Sequence, residues 1–288
     1  MSSSSLFELP IGPCGKHPGG TLTCTEPQPQ VYLLTWNSPP DNRLTTPFCK
    51  TLLAALDILE FGDYAPGVVV TTSGIAKNYS NGFDLEHTLA NKEVFFPFYY
   101  GLWVRFLTMP DPPPPPPPRY PMPTVALMNG HGYAAGLMLA MAHDYRLAPS
   151  PRGFFCLPEL TYGLPLTPAM ASLFRHKLPS AAALRDLALE AGQLTGPQIV
   201  DLGIADALAP TPADAWKFIA DRKLAEKAKP GVYGTIKSEL YKDLIKELRG
   251  EGLEREEQRH RDDGDKVAER VEFGKVWYEQ WKAGKAKL

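Results

Sequence analysis

The sequence predicts an α/β protein built on a largely parallel sheet with crossover helices. Three observations carry that expectation. Residues 67–72 (GVVVTT) and 124–128 (TVALM) are short apolar runs without alternation, the pattern of strands buried on both faces. Each is followed by a polar, glycine-bearing turn, at residues 73–84 and 129–132. Helical sequence follows each turn, so the chain repeats a strand, a loop and a helix.

In chain order, residues 21–35 hold two β-rich pieces separated by the turn-like Glu26-Pro27-Gln28-Pro29, and residues 31–35 (VYLLT) are the better strand. Residues 37–46 read as a loop. Thr46 is expected to cap a helix reaching residue 59, with Pro47 in its first turn and Leu52, Leu53, Leu56 and Leu59 on one face. A helix starts at residues 85–89, and helical sequence rich in aromatics resumes over 94–107.

The stretch 110–118 (PDPPPPPPP) ends on seven prolines, Pro112 to Pro118, which can join neither helix nor sheet. It is expected to form an extended surface loop between a helix and a strand. After the strand at 124–128, Asn129-Gly130-His131-Gly132 breaks the chain direction. Ala134-Ala135-Gly136 then opens a short apolar helix over 137–142, which His143-Asp144 closes, and a further strand runs on to Glu159. Small residues at a helix start let another group approach the backbone closely. The unpaired amides there suit a developing negative charge.

Residues 180–193 and 195–202 read as helices, the second with Pro two residues in, and 203–206 as a helix end and short strand. From 212 to 288 the chain is charged and almost wholly helical, with a break at Lys229-Pro230-Gly231. This gives a core over 1–210 and a helical region over 211–288 with too few apolar residues to fold alone. The helical region is expected to pack on the core or on a neighbouring subunit.

A chain of 288 residues with 44% hydrophobic content and a net charge of -2 can bury a sizeable core and has no basic excess for nucleic acid. Four cysteines without a CxxC pair fit reduced thiols, and no apolar run is long enough for a membrane span. The beginning lacks the charged and apolar regions of a secretory signal. His143-Asp144 has no further ligand in register, so no metal is expected.

Residues 80–85 (SNGFDL) and 129–148 (NGHGYAAGLMLAMAHDYRLA) together resemble the signature of the crotonase (enoyl-CoA hydratase/isomerase) superfamily. Within it the chain is most similar to the plant and fungal Δ3,Δ2-enoyl-CoA isomerases, with the likeness running from about residue 31 to 210. The resemblance implies a spiral core of repeated ββα units with a C-terminal helical region that oligomerises, as a homotrimer or a hexamer made of two trimers. It implies an acyl-CoA substrate, with no cofactor because coenzyme A is part of the substrate.

It also implies site roles. The backbone amides of Phe83 and Ala135 would bind the thioester oxygen, in turns made by Ser80, Asn81, Gly82 and Gly136. Asp84 would anchor the next helix or orient the turn. Glu159, in a pattern of Leu157-Pro158-Glu159-Leu160 with Gly163-Leu164-Pro165, would be the acid/base, buried among Phe154, Phe155, Leu157 and Leu164 and so raised in pKa. Where hydratases carry a second glutamate this chain has Met138, which cannot accept a proton and favours isomerisation over water addition. His131, Tyr133 and Glu86 are the polar residues nearby in sequence.

Lys77 and Arg43 fall where relatives contact the coenzyme A nucleotide. The closing Ala286-Lys287-Leu288 departs by one conservative change from the peroxisomal address Ser-Lys-Leu, implying an import-receptor partner and a peroxisomal location, or a cytoplasmic one without it. A hydratase or another acyl-CoA enzyme is the first alternative. A catalytically silent acyl-CoA binder, with the proline run as its working part, is the second.

Overall fold

The computed structural model describes residues 4–108 and 122–283; the proline run and the C-terminal tripeptide lie outside them. Eleven strands form two sheets among the described residues. They are β1 (Ser5–Ile11), β2 (Gly20–Gln28), β3 (Val31–Asn37), β4 (Val68–Ser73), β5 (Asn78–Ser80), β6 (Thr124–Leu127), β7 (His131–Tyr133), β8 (Tyr145–Ala148), β9 (Phe154–Cys156), β10 (Leu194–Thr195) and β11 (Ala207–Leu208). The large sheet has the order β1-β2-β3-β4-β6-β8-β11 and the small one β10-β9-β7-β5. The large sheet is antiparallel from β1 to β3 and parallel from β3 onward.

Helices α1 (Thr46–Phe61), α2 (Leu85–Ala90), α3 (Lys92–Leu107), α4 (Ala135–Met141) and α5 (Pro168–Lys177) connect these strands. The repeat is visible in the sheet order. β4, β6 and β8 are neighbours in the large sheet, while β5, β7 and β9 are neighbours in the small one. Each turn therefore lays one strand in each sheet before its helix, which is a spiral of ββα units.

The apolar strands have the environment their sequence demands. Val68 and Val70 face a cluster with Val125, Leu127 and Leu147, closed by Phe218 and Ile219. Val69 and Ala126 face the opposite, larger core with Leu52, Leu56 and the α3 aromatics. Two buried faces leave no place for alternation.

Several boundaries differ from the sequence reading. Thr45, not Thr46, caps α1, its side chain accepting from Phe48 N–H. The polar stretch 73–84 contains β5, a three-residue strand held by pairing with β7. The N-terminal segment forms β1 on the sheet edge. The helix expected over 180–193 is only α6 (Ala181–Leu184) followed by one wide turn, Arg185–Leu189. At the start of the helix α7 (Gly196–Asp201) the Gln198 side chain accepts from Thr195 N–H at 2.8 Å and from its hydroxyl at 2.9 Å.

The C-terminal part folds as α8 (Pro212–Asp221), α9 (Leu224–Lys227), α10 (Tyr233–Leu240), α11 (Lys242–Leu248) and α12 (Gly250–Lys282). Leu244 and Leu248 of α11 join the main core. Lys237 of α10 ties the region to the sheet: its ammonium donates to Phe106 O and lies 2.8 Å from Asp144 Oδ1, both ions being buried. Asp144 also accepts from Thr124 N–H. Burial works against the ionised Asp144, but Lys237 and Lys177 outweigh it and hold the carboxyl below its usual range. Beside it His143 is fully buried, stacked on Phe106 with centroids 4.0 Å apart and bonded to Leu139 O and Thr71 Oγ1. Burial lowers its pKa to about 3, so it stays neutral. Helix α12 has no fully buried residue along its 33. No helix among the described residues is long and apolar enough to cross a membrane.

Candidate active site

The small sheet brings the two signature segments together. β5 and β7 are neighbours in parallel register, Asn78 opposite His131 and Ser80 opposite Gly132. The chain leaves both strands in the same direction, so residues 81–84 and 134–136 run side by side. A Cβ on Gly82 would stand 3.0 Å from Tyr133 O and 3.5 Å from Ala135 N. Both segments turn through a residue of positive φ, Gly82 at 79° and Ala134 at 49°. Each precedes one of the two amides singled out by the sequence, and the turn aims the following N–H away from the local chain. Among the described residues no protein group accepts from Phe83 N–H or Ala135 N–H. For Ala134, positive φ on a residue with a Cβ is strain of about 1–3 kcal/mol that the surrounding structure must hold.

The surroundings do hold it. Ser80 Oγ donates to Asn42 O at 2.8 Å and accepts from Gly82 N–H at 3.2 Å, fixing the first turn from inside. Asn42 is itself fully buried and bonds Ser38 N–H, Ser73 Oγ and the carbonyl of Asn78. Gly136 lies against the end of β5, where a Cβ would be 2.5 Å from Ser80 O. Asn81 donates to Asp41 at 2.5 Å. Asp84 caps α2, accepting from His87 N–H at 2.8 Å, while its other oxygen contacts the His17 ring. Burial opposes the charge on Asp84, but these bonds keep its pKa below the usual range.

Arg43 lies in this network rather than in open solvent. Its guanidinium donates to Asp41 at 3.1 Å and to Phe83 O at 2.9 Å, so it holds the peptide that follows the first amide. Lys77 is exposed on the turn between β4 and β5. Its carbonyl, not its ammonium, is tied down, by His131 N–H.

Tyr99, which the sequence reading did not single out, couples the two segments. Its hydroxyl donates to Ala135 O at 2.8 Å, and its ring packs edge-on against Phe83 with centroids 4.8 Å apart. Phe95, Tyr99 and Trp103 recur at four-residue spacing on α3 and are all fully buried. That spacing marks a buried face but not the partner 36 residues away.

Glu159 lies in a turn three residues beyond β9. Its carbonyl accepts from Leu164 N–H at 2.9 Å. The side chain lines a cavity of about 590 Å³ that Phe83 also lines. Leu89, Phe96, Leu164 and Met170 make much of the wall. Oε2 is buried with no hydrogen-bond partner among the described residues. Burial raises the carboxyl pKa above the usual range. Glu159 also acts electrostatically on Tyr99, whose hydroxyl is bonded to Ala135 O, and on Cys156.

Its shell differs in part from the expected one. Phe155 and Leu157 are buried as anticipated, but Phe154 turns outward and stacks on the His131 ring at 5.6 Å. Leu164 is partly exposed at the cavity wall.

Met138 is fully buried one helical turn beyond Ala135 and is not among the cavity-lining residues. His131, Tyr133 and Glu86 do not line the cavity either. The carboxylates that do so besides Glu159 are Glu93, exposed, and Glu257, half-buried on α12. Glu257 escapes sequence reasoning because α12 reaches the site only through tertiary packing. Among the described residues no group of three or more His, Cys, Asp and Glu stands close enough to hold a metal.

A carboxyl made more basic by burial, facing an apolar cavity that Phe83 also lines, is the kind of group that moves protons on a carbon acid whose carbonyl oxygen is held by free amides. Comparison with known proteins agrees in kind. The family model described as enoyl-CoA hydratase/isomerase matches residues 26–272. The peroxisomal enoyl-CoA delta isomerase 2 of Arabidopsis thaliana is 32% identical over 231 residues, covering 77% of this chain and 93% of the relative. Enoyl-CoA delta isomerase 3 of the same plant is 32% identical over 233 residues, covering 77% and 94%. The crystal structure of a probable enoyl-CoA hydratase from Mycobacterium tuberculosis superposes with a TM-score of 0.67 at 20% identity, covering 88% of this chain and 99% of that one. The fold and these matches together place the chain in the enoyl-CoA hydratase/isomerase (crotonase) family.

Proposed function

We propose that this protein is a Δ3,Δ2-enoyl-CoA isomerase, converting a 3-enoyl-CoA into the conjugated 2-trans-enoyl-CoA during fatty-acid β-oxidation. The observation that carries the reading is the Glu159 carboxyl, whose Oε2 is buried without a hydrogen-bond partner among the described residues, lining the same apolar cavity as Phe83. In this mechanism the thioester oxygen accepts hydrogen bonds from Phe83 N–H and Ala135 N–H. Glu159 takes a proton from the α-carbon, the C–H electrons pass into the dienolate, and negative charge collects on the bound oxygen. The glutamic acid then returns the proton at the γ-carbon and the double bond comes to rest between α and β. Each step is neutral overall, so no cofactor is needed and coenzyme A enters only as part of the substrate.

Supporting the choice of isomerase are Met138 in the position of a second glutamate and the relatives' names. A peroxisomal location is part of the proposal, supported by the name of the first relative and by Ala286-Lys287-Leu288 as a ligand for an import receptor. So is assembly as a trimer or a pair of trimers. Hydration is the second reading, because Glu257 lines the same cavity and could serve as the second acid.

The test is incubation with trans-3-hexenoyl-CoA, followed by the absorbance of the conjugated thioester. A rise to completion is the expected result. No rise, with 2-hexenoyl-CoA hydrated instead, would transfer the assignment to hydratase.

A further inference from the structure

A second cavity, of about 550 Å³, lies next to the first, between α1, α3 and the joint of α11 with α12. Leu53, Gly101, Val104 and Thr108 are among its lining residues. Two residues line both cavities: Pro97 of α3 and Leu253 of α12. They stand where the two spaces meet.

The two sides of this partition differ in freedom. Pro97 is set within a 16-residue helix whose face is packed with buried aromatics. Leu253 is only partly buried, in the first turns of a helix with no fully buried residue. The helix starts at Gly250, with φ of 55°, and the Leu253 N–H to Arg249 O bond that closes its first turn is 3.4 Å long. Leu253 can therefore change rotamer, or shift with its helix turn, at less cost than Pro97 can move.

We propose that Leu253 is the specificity-determining residue for acyl-chain length: it closes the far end of the first cavity, and chains long enough to displace it continue into the second. The proposal rests on the reading of the first cavity as the acyl site. Its starting point is the Glu159–Phe83 end, where the thioester would sit. The chemistry of the walls suits a hydrocarbon tail, since Phe96, Met170 and Leu253 in the first and Leu53 and Val104 in the second offer carbon surface. Each further methylene that finds such surface raises affinity by roughly fourfold, and one that meets a wall adds nothing.

The experiment measures affinities of a saturated acyl-CoA series, from butanoyl to hexadecanoyl, for wild type, Leu253→Ala and Leu253→Phe. Saturated thioesters cannot react, so the reading does not require turnover; turnover of trans-3-hexenoyl-CoA by wild type tests the proposed function separately. The expected result is equal affinity of all three proteins for butanoyl-CoA. Affinity in Leu253→Ala should then go on rising for at least two carbons beyond the wild-type plateau, by tenfold or more. In Leu253→Phe it should level off at shorter chains. If the alanine variant folds poorly, the phenylalanine variant alone decides. One shared chain-length profile for wild type and the variants would overturn the proposal.

Discussion

Glu159→Gln is expected to lower kcat for 3-enoyl-CoA isomerisation about 10³-fold, within the span usual for a positioned acid/base, with KM changed only a few-fold. Glutamine keeps the size and the polar end but has no basic oxygen. The pH profile adds a check that a merely structural residue would not pass. The working form before α-proton removal is the carboxylate, so wild-type kcat/KM should climb with pH through the Glu159 pKa. Burial places that limb above the usual carboxylate range. In the glutamine variant the limb should vanish.

Stability should move the other way. The folded-state pKa is raised, so between the unfolded and folded values the native state binds more protons than the unfolded one, and stability falls as pH rises through that window. Above the raised folded-state pKa the ionised Glu159, with Oε2 buried and unpartnered, therefore costs stability, and Glu159→Gln should there melt at the wild-type temperature or above. Lower activity with equal or higher Tm is the combined signature. A variant that loses activity and melts early would indicate a structural role only.

Gly136→Ala is expected to be nearly as harmful by an unrelated route. The added Cβ would lie 2.5 Å from Ser80 O, 2.8 Å from Ser80 Cβ and 2.9 Å from Ser80 Oγ. Two of these atoms belong to a fully buried side chain already bonded on both sides, and the third is backbone, so none can step aside. The start of α4 must retreat from the end of β5, taking the adjoining Ala135 amide with it. Losing one oxyanion donor lowers kcat by about 10²–10³, and the overpacking should cost about 1–3 kcal/mol of stability. Gly274→Ala is the control, since a Cβ there meets nothing within 4 Å, on α12 and away from both cavities. It should leave kcat unchanged and raise Tm slightly, as alanine does in place of glycine in a helix. Full activity in Gly136→Ala, with its melting confirmed as lowered, would remove Ala135 from the mechanism.

The parts of this molecule legible in the sequence are those written in contiguous residues. The valines of β4 and the run at β6 announce strands buried on both faces, and both cores are there to receive them. SNGFDL and NGHGYAAG announce the two turns through family likeness, and the sheet register brings those turns side by side.

Hidden were the features that depend on a distant partner. β5 is three residues in a polar loop and becomes a strand only by pairing with β7. β1 alternates weakly and is a strand because β2 offers it an edge. Ala134 carries no sequence sign of its positive φ, since alanine is a poor choice for that conformation; the hydrogen bond from its N–H to Cys156 O is one of the contacts that hold it there. Tyr99 reads as core, and its bond to Ala135 O exists only once α3 lies over α4. Arg43 falls, by family likeness, where relatives contact the coenzyme A nucleotide, and only the closed turn shows its guanidinium clamped on Phe83 O.

The most direct test of the central claim, that one carboxyl carries the proton from the α-carbon to the γ-carbon, is a label experiment. A trans-3-enoyl-CoA deuterated at C2 would be converted in ordinary water under single-turnover conditions, and the product analysed for deuterium at C4. The account predicts deuterium at C4 well above the level left by solvent exchange, because Glu159 holds the same hydron between the two steps. Product carrying only solvent hydrogen at C4, formed at an undiminished rate, would mean that a second group or water delivers the proton and would contradict the single-glutamate mechanism.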